Sequence, residues 1–259
     1  MKNTALITGA SNGIGLELAK IHAAQGDHLV LVARSESKLK ELKMDLEKQF
    51  NINVAILAVD LSEANAAQAV YDYTSKNNIT VQYLINNAGF GGDGLFATTA
   101  WEKEMQMIQL NITTLTHLTK LYLQEMVKRG TGKIMNVAST AAFQPGPNMA
   151  VYCATKAFVL SFTEALSSEV SDKGITVTAL CPGATSTGFQ TAGGLDENKL
   201  FKNKNLPSAK AVASYGYRAM MKGKVVAIHG IMNYIMANTV RFIPRSLVLK
   251  VSRNLLGKA

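Results

Sequence analysis

Cysteine is scarce in this chain of 259 residues, which holds only Cys153 and Cys181. The two lie far apart and form neither a CxxC motif nor a metal-ligand spacing, so we expect reduced thiols that serve packing. The four histidines are equally scattered and form no HxxxH motif: His22, His28, His117 and His229. The sequence therefore predicts no disulfide framework and no metal site.

Long hydrophobic runs are also absent, although apolar residues make up 47% of the chain. No stretch of about 18 uninterrupted apolar residues is present to span a bilayer. Met1, Lys2 and Asn3 lead directly into an apolar β-type segment, which leaves no room for the regions of a secretory signal. These features predict a cytoplasmic protein with a large core and, by default, one domain over residues 1–259.

Acidic residues are missing from the C-terminal part of the chain. Between Lys199 and Ala259 there are 12 Lys or Arg and no Asp or Glu, whereas the net charge of the whole chain is +9. Such a positive field attracts acidic lipid surfaces, phosphate-bearing acyl carriers or nucleic acid. No module that reads nucleic acid and no pattern of stacking aromatic residues accompanies it, so we predict no nucleic-acid partner.

The last basic segment has the pattern of an amphipathic helix near residues 244–256. Pro244 suits a helix start and Gly257 a helix stop. Apolar and basic side chains alternate between them: Leu247, Val248, Val251 and Leu255, with Arg245, Lys250 and Arg253. This helix either lies peripherally on an anionic membrane surface or packs on the same chain or a second subunit, and packing is the favoured interpretation.

Short β-type segments alternate with helical segments along the chain. The predicted strands are 4–8, 28–34, 53–61, 81–85, 133–138, 174–180 and 224–228; predicted helices include 35–50, 62–76 and 99–129. This alternation predicts an α/β fold, a single doubly wound Rossmann-type domain with a parallel sheet of about seven strands and a ligand at their carboxyl ends. A Gly-, Asn- and Lys-rich segment, 188–206, is predicted to be a loop over the substrate.

A glycine-rich turn directly follows the first strand. Gly9, Gly13 and Gly15 permit a tight turn and the close approach of a pyrophosphate, whose charge is favoured at the N-terminus of the next helix. The residues among these glycines are further candidate contacts of a dinucleotide: Ser11, Asn12 and Ile14.

The end of the second strand indicates which dinucleotide is bound. An acidic residue there would bind a ribose 2′-hydroxyl, whereas arginine accommodates a 2′-phosphate. Ala33 fills the acidic position and Arg34 follows it, with Lys38 one helical turn later. We therefore predict NADP(H), with NAD(H) the less favoured cofactor, although Asn12 stands where many NADP-dependent proteins carry a basic residue. The alternative is that Arg34 is simply a solvated strand end.

Tyr152 and Lys156 lie four residues apart in a helical segment and are expected to share a face of that helix. A neighbouring ammonium favours a phenolate, so we expect a lowered pKa of Tyr152 and a role in general acid/base catalysis. Taken alone, the pair is more often an ordinary tyrosine and an ordinary lysine. Other motifs in the chain decide between the two interpretations.

Five motifs, in this order and spacing, resemble the short-chain dehydrogenase/reductase family from Ala5 to about Gly188. They are the turn from Thr8 to Gly15, the run Asn86-Asn87-Ala88-Gly89, Asn111, Ser139, and Tyr152 with Lys156. The C-terminal part is similar to the branch that includes DltE-like reductases and very-long-chain 3-ketoacyl reductases, which implies an apolar substrate.

The resemblance implies roles for individual residues. Tyr152 would act as the general acid/base, Ser139 would hydrogen-bond the substrate oxygen, and Lys156 would also bind the nicotinamide ribose. Asn111 would hold a water in a proton relay. The implied cofactor contacts are Asp60 and Leu61 at the adenine, Asn87, Ala88 and Gly89 along the cofactor channel, and Pro182, Gly183 and Thr187 at the nicotinamide.

These features together predict an oxidoreductase that interconverts a carbonyl and a secondary alcohol by hydride transfer. A non-catalytic NADP(H)-binding sensor or scaffold on the same fold is the alternative, although it would tolerate loss of Tyr152, Lys156 or Ser139, and all three are present. The resemblance also implies a homo-oligomer, a dimer or a tetramer.

Overall fold

Seven parallel strands form one sheet in the order β3-β2-β1-β4-β5-β6-β7. The computed structural model describes residues 2–190 and 205–256. The strands are β1 (Thr4–Thr8), β2 (His28–Ala33), β3 (Val54–Ala58), β4 (Tyr83–Asn86), β5 (Gly132–Val137), β6 (Ile175–Cys181) and β7 (Val226–Ile228). The strand order reverses between β1 and β4, which is the position where open α/β sheets have a ligand crevice at the carboxyl ends of their strands. The predicted α/β fold with a parallel sheet of about seven strands is confirmed.

Helices cover both faces of the sheet. They are α1 (Gly13–Ala24), α2 (Glu36–Gln49), α3 (Ala66–Lys76), α4 (Trp101–Ile108), α5 (Leu115–Arg129), α6 (Ala150–Glu169), α7 (Ala209–Met221), α8 (Ile231–Thr239) and α9 (Arg245–Leu256). Alternate side chains of a strand point to opposite faces, so Ile7 of β1 packs with α1, α2 and α7, whereas Leu6 packs with α3, α5 and α6. Burial on both faces explains why the strands are almost continuously apolar.

The helix predicted over residues 99–129 is confirmed from Trp101 to Arg129, but it is not α-helical throughout. A π-helical segment, Gln109–Thr114, separates α4 from α5. Ala100 occupies the N-cap position of α4, while the Thr99 hydroxyl donates to the Phe96 carbonyl instead of capping the helix. Insertions of this kind often occur where a side chain must be turned into a functional site.

The start of α3 also differs from its prediction. Ser62 does not cap it, because its N–H and hydroxyl both donate to the Asp60 carboxylate, at 2.9 and 2.6 Å. The helix begins at Ala66, after Asn65 in a left-handed conformation with φ of 63°. The local Asx turn therefore takes the Ser62 groups that could have capped a helix starting there.

The C-terminal part begins with α7, whose first turn is capped by the Ser208 hydroxyl. The last helix, α9, begins at Arg245, directly after Pro244. Most of the predicted substrate loop at 188–206 lies outside the described residues. No helix in the described ranges is long and apolar enough to cross a membrane.

Candidate active site

The turn between β1 and α1 needs glycine for two reasons. Gly9 and Gly13 have φ values of +66° and +55°, in the left-handed region that favours glycine. At Gly15 the reason is space, since a Cβ would lie 2.3 Å from the Gly9 carbonyl oxygen and 2.5 Å from Asn87 Nδ2. The Asn12 side chain accepts from Gly13 N at 2.7 Å and caps α1. The turn thus brings the positive end of a helix to the carboxyl edge of the sheet.

The loop after β4 holds this turn in place. Thr8 Oγ1 accepts from the backbone N–H groups of Asn87 and Ala88, at 3.0 and 2.9 Å. The Asn87 side chain donates in return to the carbonyls of Thr8 and Gly9, at 2.9 and 3.2 Å. These bonds join β1 and β4 at the point where the strand order reverses, so the two loops form one rigid edge of the crevice.

Positive side chains lie at the end of β2. The Arg34 side chain is 76% exposed and its closest charged partner is Asp60, at 3.9 Å. Lys38 is also exposed. Burial alone would raise the pKa of Asp60, but hydrogen bonds from Ser62 and the Arg34 charge lower it, so the carboxylate is ionised at neutral pH. The guanidinium is thus positioned by a weak contact and remains accessible to an anion.

The residues at this edge fit a dinucleotide. Most of the predicted contacts are only partly buried, although the strands behind them are buried at most positions: Gly9, Ser11, Gly13, Ile14, Asn87, Ala88, Gly89, Gly183 and Thr187. They lie along the carboxyl edge of the sheet from the glycine turn to the loop after β6. The N-terminus of α1 and the cations at β2 suit the phosphates of such a ligand. Leu61 is buried, and its carbonyl accepts from the Thr114 hydroxyl at 2.8 Å.

Ser139, Tyr152 and Lys156 meet at the carboxyl end of β5. Ser139 follows the strand and begins the short 3-10 helix Thr140–Phe143, while Tyr152 and Lys156 lie in the first two turns of α6. The Lys156 ammonium is 5.9 Å from the centroid of the Tyr152 ring, and it donates to the Val137 carbonyl at 2.8 Å. All three side chains are buried. The structure therefore brings the predicted catalytic side chains together from two elements.

The expectation that Lys156 lowers the pKa of Tyr152 is not met. Burial raises the pKa of Tyr152 to about 12, and the hydrogen bond with Ser139 only partly counteracts this. Burial also lowers the pKa of Lys156 to about 8. The physical reason is that both groups lose hydration on the same apolar surface, and desolvation disfavours the charged form of each.

Asn111 occupies the π-helical segment and is completely buried. Its side chain donates to the Phe90 carbonyl at 3.0 Å and to the Thr155 hydroxyl at 3.1 Å, and it accepts from Phe90 N at 3.3 Å. A Cβ on Gly89 would lie 2.9 Å from Asn111 Oδ1 and 3.4 Å from Lys156 Nζ. Asn111 is therefore a neighbour of Lys156 rather than a surface residue, with Gly89 between them.

The loop after β6 closes the site on its remaining side. The Pro182 carbonyl accepts from Thr140 N at 2.9 Å, which ties this loop to the turn after Ser139. At its other end Thr187 lies against the glycine turn, where a Cβ on Gly13 would be 3.1 Å from Thr187 Cβ. The loop therefore spans from the α1 turn to the predicted catalytic side chains.

Two neighbours of Tyr152, one aromatic and one acidic, were not singled out from the sequence. The Phe189 ring is 5.7 Å from the Tyr152 ring. Glu104 of α4 is 7% exposed and lines, with Tyr152 and Met107, a small cavity of about 10 Å³. Its Oε2 atom has no hydrogen-bond partner among the described residues. Helical spacing gives a hint of Glu104, since it lies three residues before the buried Met107, but charge favours a surface position.

The sequence model of the family described as short chain dehydrogenase matches residues 3–198. A relative named very-long-chain 3-oxoacyl-CoA reductase, from Rattus norvegicus, is 31% identical over 254 residues, which cover 92% of this chain and 77% of the relative.

Solved structures agree with the family match. A short-chain dehydrogenase from Sphingobium yanoikuyae in complex with NADPH has a TM-score of 0.83 and 32% identity, covering 93% of this chain and 94% of that one. The bulky-bulky ketone specific alcohol dehydrogenase from Comamonas testosteroni has a TM-score of 0.79 and 28% identity, covering 93% and 92%. The chain described here is accordingly an oxidoreductase and a member of the short-chain dehydrogenase family.

Proposed function

We propose that this protein is an NADP(H)-dependent oxidoreductase that interconverts a carbonyl and a secondary alcohol, with Tyr152 as the general acid/base. The observation that carries the proposal is the convergence of Tyr152, Ser139 and Lys156 at the same carboxyl edge of the sheet as the glycine turn. When bound, the nicotinamide supplies or accepts the hydride. The protein residues position the oxygen of the substrate and move its proton.

In the reductive direction Tyr152 gives its proton to the carbonyl oxygen. A pKa of about 12 keeps this phenol fully protonated at neutral pH and therefore able to donate. Ser139 hydrogen-bonds the same oxygen as negative charge develops on it, a contribution that is strongest in the transition state. The Lys156 ammonium, 5.9 Å from the phenol ring, stabilises the phenolate that forms.

Arg34 and Lys38 support NADP(H) as the cofactor. Both are exposed at the end of β2, where a 2′-phosphate of the adenine ribose would lie by the general geometry of this fold. The accessible guanidinium of Arg34 suits bidentate binding of a phosphate. The NADPH in the Sphingobium relative is consistent with this choice, and NAD(H) remains the less favoured cofactor.

The substrate we propose is an apolar ketone or a 3-oxoacyl compound. Phe189 and Phe96 lie near Tyr152, and Phe96 lines the same small cavity. The names of two relatives, a 3-oxoacyl-CoA reductase and a dehydrogenase for bulky ketones, point the same way. A homo-oligomeric state stays a prediction from the family.

A comparison of two tyrosine variants tests the catalytic part of the proposal. NADPH oxidation is measured with a panel of ketones, aldehydes and 3-oxoacyl thioesters. Tyr152→Phe is expected to lower kcat by about 10²- to 10⁴-fold while NADPH still binds, because only the proton donor is removed. Tyr73→Phe, on α3, is the matched control and should retain wild-type activity. Full activity of Tyr152→Phe would overturn the assignment, and NADPH binding without turnover of any carbonyl would favour the sensor or scaffold.

The same assay tests the cofactor. Arg34→Ala should lower kcat/KM for NADPH by about tenfold or more and leave NADH unchanged, since one charge-assisted pair to the phosphate is lost. Arg218→Ala, at an exposed position of α7, serves as the control. Equal use of NADH and NADPH by the wild-type protein would contradict the NADP(H) assignment.

A further inference from the structure

The chain from Ile231 to Val251 exposes an unusual number of large apolar side chains. We call them the C-terminal apolar surface, and its members are between 38% and 87% exposed: Ile231, Met232, Tyr234, Ile235, Met236, Phe242, Ile243, Leu247, Leu249 and Val251. Single exposed apolar side chains are ordinary, but ten within one short segment are not. This concentration marks an interaction surface.

Helix α8 carries the largest share of this surface. It has no charged residue, and five of its nine side chains are apolar or tyrosine and about half exposed or more. Only Ala237 is buried against the rest of the protein. Among residues 245–254 of α9 the buried positions are Val248 and Ser252, one helical turn apart, so this part of the helix packs on its own chain through one narrow stripe. The apolar side chains of the C-terminal apolar surface in these two helices are exposed instead.

Positive charge accompanies the apolar side chains. Four exposed cations, Arg241, Arg245, Lys250 and Arg253, lie between Ile231 and Asn254, and the same segment has no Asp or Glu. None of the four takes part in an ion pair within the ranges the structure describes. The turn between α8 and α9 combines both features, because Phe242 is 87% exposed and is flanked by Arg241 and Arg245.

The C-terminal apolar surface begins at the rim of the active site. Helix α8 contacts the short helix Thr140–Phe143, which directly follows Ser139. Its Asn233 side chain also lies against the loop after β6, since a Cβ on Gly183 would be 2.6 Å from Asn233 Nδ2. Whatever covers this surface is therefore adjacent to the site.

We propose that the C-terminal apolar surface docks the protein on a lipid bilayer that carries anionic headgroups. Apolar side chains such as Phe242 enter the boundary between headgroups and acyl chains, and the surrounding cations meet the lipid phosphates and carboxylates. The docking does not depend on the proposed function. If that function holds, the contact presents the active site to apolar substrates dissolved in the bilayer.

Charge argues against a second copy of this chain as the occupant. A twofold interface would place this surface against itself and bring four cations to face four others, with no acidic residue in the segment to neutralise them. An anionic bilayer supplies the missing negative charge and accepts the apolar side chains in the same contact. The charge and the hydrophobicity thus point to one partner.

Flotation of the purified full-length chain with lipid vesicles tests the proposal. We expect binding to vesicles of phosphatidylcholine with 30% phosphatidylglycerol, weak binding to phosphatidylcholine alone, and loss of binding as salt is raised. Neutralising Arg241 and Arg245 to Gln should weaken binding to anionic vesicles about 25-fold, since each cation near such a surface contributes about fivefold. Phe242→Ser should weaken it by at least about tenfold.

Matched variants elsewhere control for net charge and for loss of an exposed apolar side chain. Lys210→Gln with Lys222→Gln, both exposed on or after α7, and Met44→Ser, 70% exposed on α2, should each leave vesicle binding within about twofold. Absence of flotation with anionic vesicles, or an equal loss with the control pair, would overturn the proposal. So would a Phe242→Ser variant that dissociates a lipid-free oligomer in sedimentation velocity without changing vesicle binding. Turnover of a water-soluble ketone without lipid reports separately on the proposed function.

Discussion

Replacing Lys156 by methionine should make the folded protein more stable while abolishing its activity. The lysine is 4% exposed, and its ammonium donates a hydrogen bond to the Val137 carbonyl at 2.8 Å. Methionine has a similar length and no charge, so it removes the cost of burying an ammonium without leaving a large cavity. The expected gain follows from the pKa of the lysine.

Burial lowers the pKa of Lys156 from its ordinary value of 10.5 to about 8. A difference of this size corresponds to about 3 kcal/mol of unfolding free energy at neutral pH, as an order of magnitude. Loss of the hydrogen bond to Val137 offsets about 1 kcal/mol of it. The net gain expected for Lys156→Met at pH 7 is about 2 kcal/mol, or a rise in Tm of about 5 °C for a chain of this size.

The pH dependence gives the sign of the effect. Between about pH 8 and 10.5 the unfolded chain still binds the proton of Lys156 whereas the folded chain has released it, so the wild-type protein gains stability as pH rises through that window. Burial also raises the pKa of Cys153 to about 11 and that of Cys181 to about 12, which lowers stability above pH 9 in both proteins. The contribution of Cys153 is the same in wild type and variant and cancels in their difference. That of Cys181 cancels only in part, because the Lys156 charge lowers the pKa of Cys181 in the wild type alone.

The measurement is urea unfolding of wild type and Lys156→Met at intervals between pH 7 and 9.5. The variant should be more stable at pH 7, and its advantage should shrink as pH rises above 8. Lys120→Met, at an exposed position of α5, is the control and should change stability by less than about 0.5 kcal/mol at every pH. A variant that is less stable than wild type at pH 7, with a parallel pH profile, would refute the reasoning.

Two further substitutions test the rigid edge and the buried carboxylate. Gly15→Ala should raise the KM for the cofactor and lower the unfolding free energy, since its Cβ would lie 2.3 Å from a backbone oxygen. Gly26→Ala, the control, has open space around its Cβ and should lower the unfolding free energy by only about 1 kcal/mol, because of its φ of +82°. Equal cofactor KM values in the two variants would contradict this prediction. Glu104→Met should raise the unfolding free energy, measured by urea unfolding, by about 1 kcal/mol, because it removes a buried oxygen without a hydrogen-bond partner among the described residues. Glu102→Met, at an exposed position, is the control and should change the unfolding free energy little. No gain from Glu104→Met would mean that a water or a ligand group satisfies the carboxylate.

Local pattern was enough to predict the sheet and most of its helices. Buried parallel strands must be apolar along their whole length, so segments such as 28–34 and 174–180 stand out from the amphipathic helices between them. The two helix starts that were wrong, at Ser62 and Thr99, share one cause. Short hydroxyl side chains have several local hydrogen-bond partners, and which one they take depends on the path of the following backbone.

The residues of the candidate site that form backbone turns were predictable from the sequence. The residues that reach the site through tertiary packing were less predictable. Glycines in a tight turn and polar residues at strand ends are local signals, which is why the turn at Gly9 and the loop at Asn87 were predictable from the sequence. Phe189 carries no such signal, and Glu104 has only the weak hint of its spacing to Met107. They adjoin Tyr152 only because α4 and the loop after β6 converge on α6.

What the sequence by itself determined is the alternation of strands and helices, the glycine turn, and the spacing of Tyr152 and Lys156, because each depends on residues close together in the chain. The tertiary structure alone decided how these groups are solvated. Burial raises the pKa of Tyr152 and lowers that of Lys156. For Tyr152 this is the opposite of the lowered pKa that its spacing from Lys156 predicted. The desolvation of a side chain depends on all the elements packed around it, here from α4 to β6, and a local sequence pattern does not specify those elements.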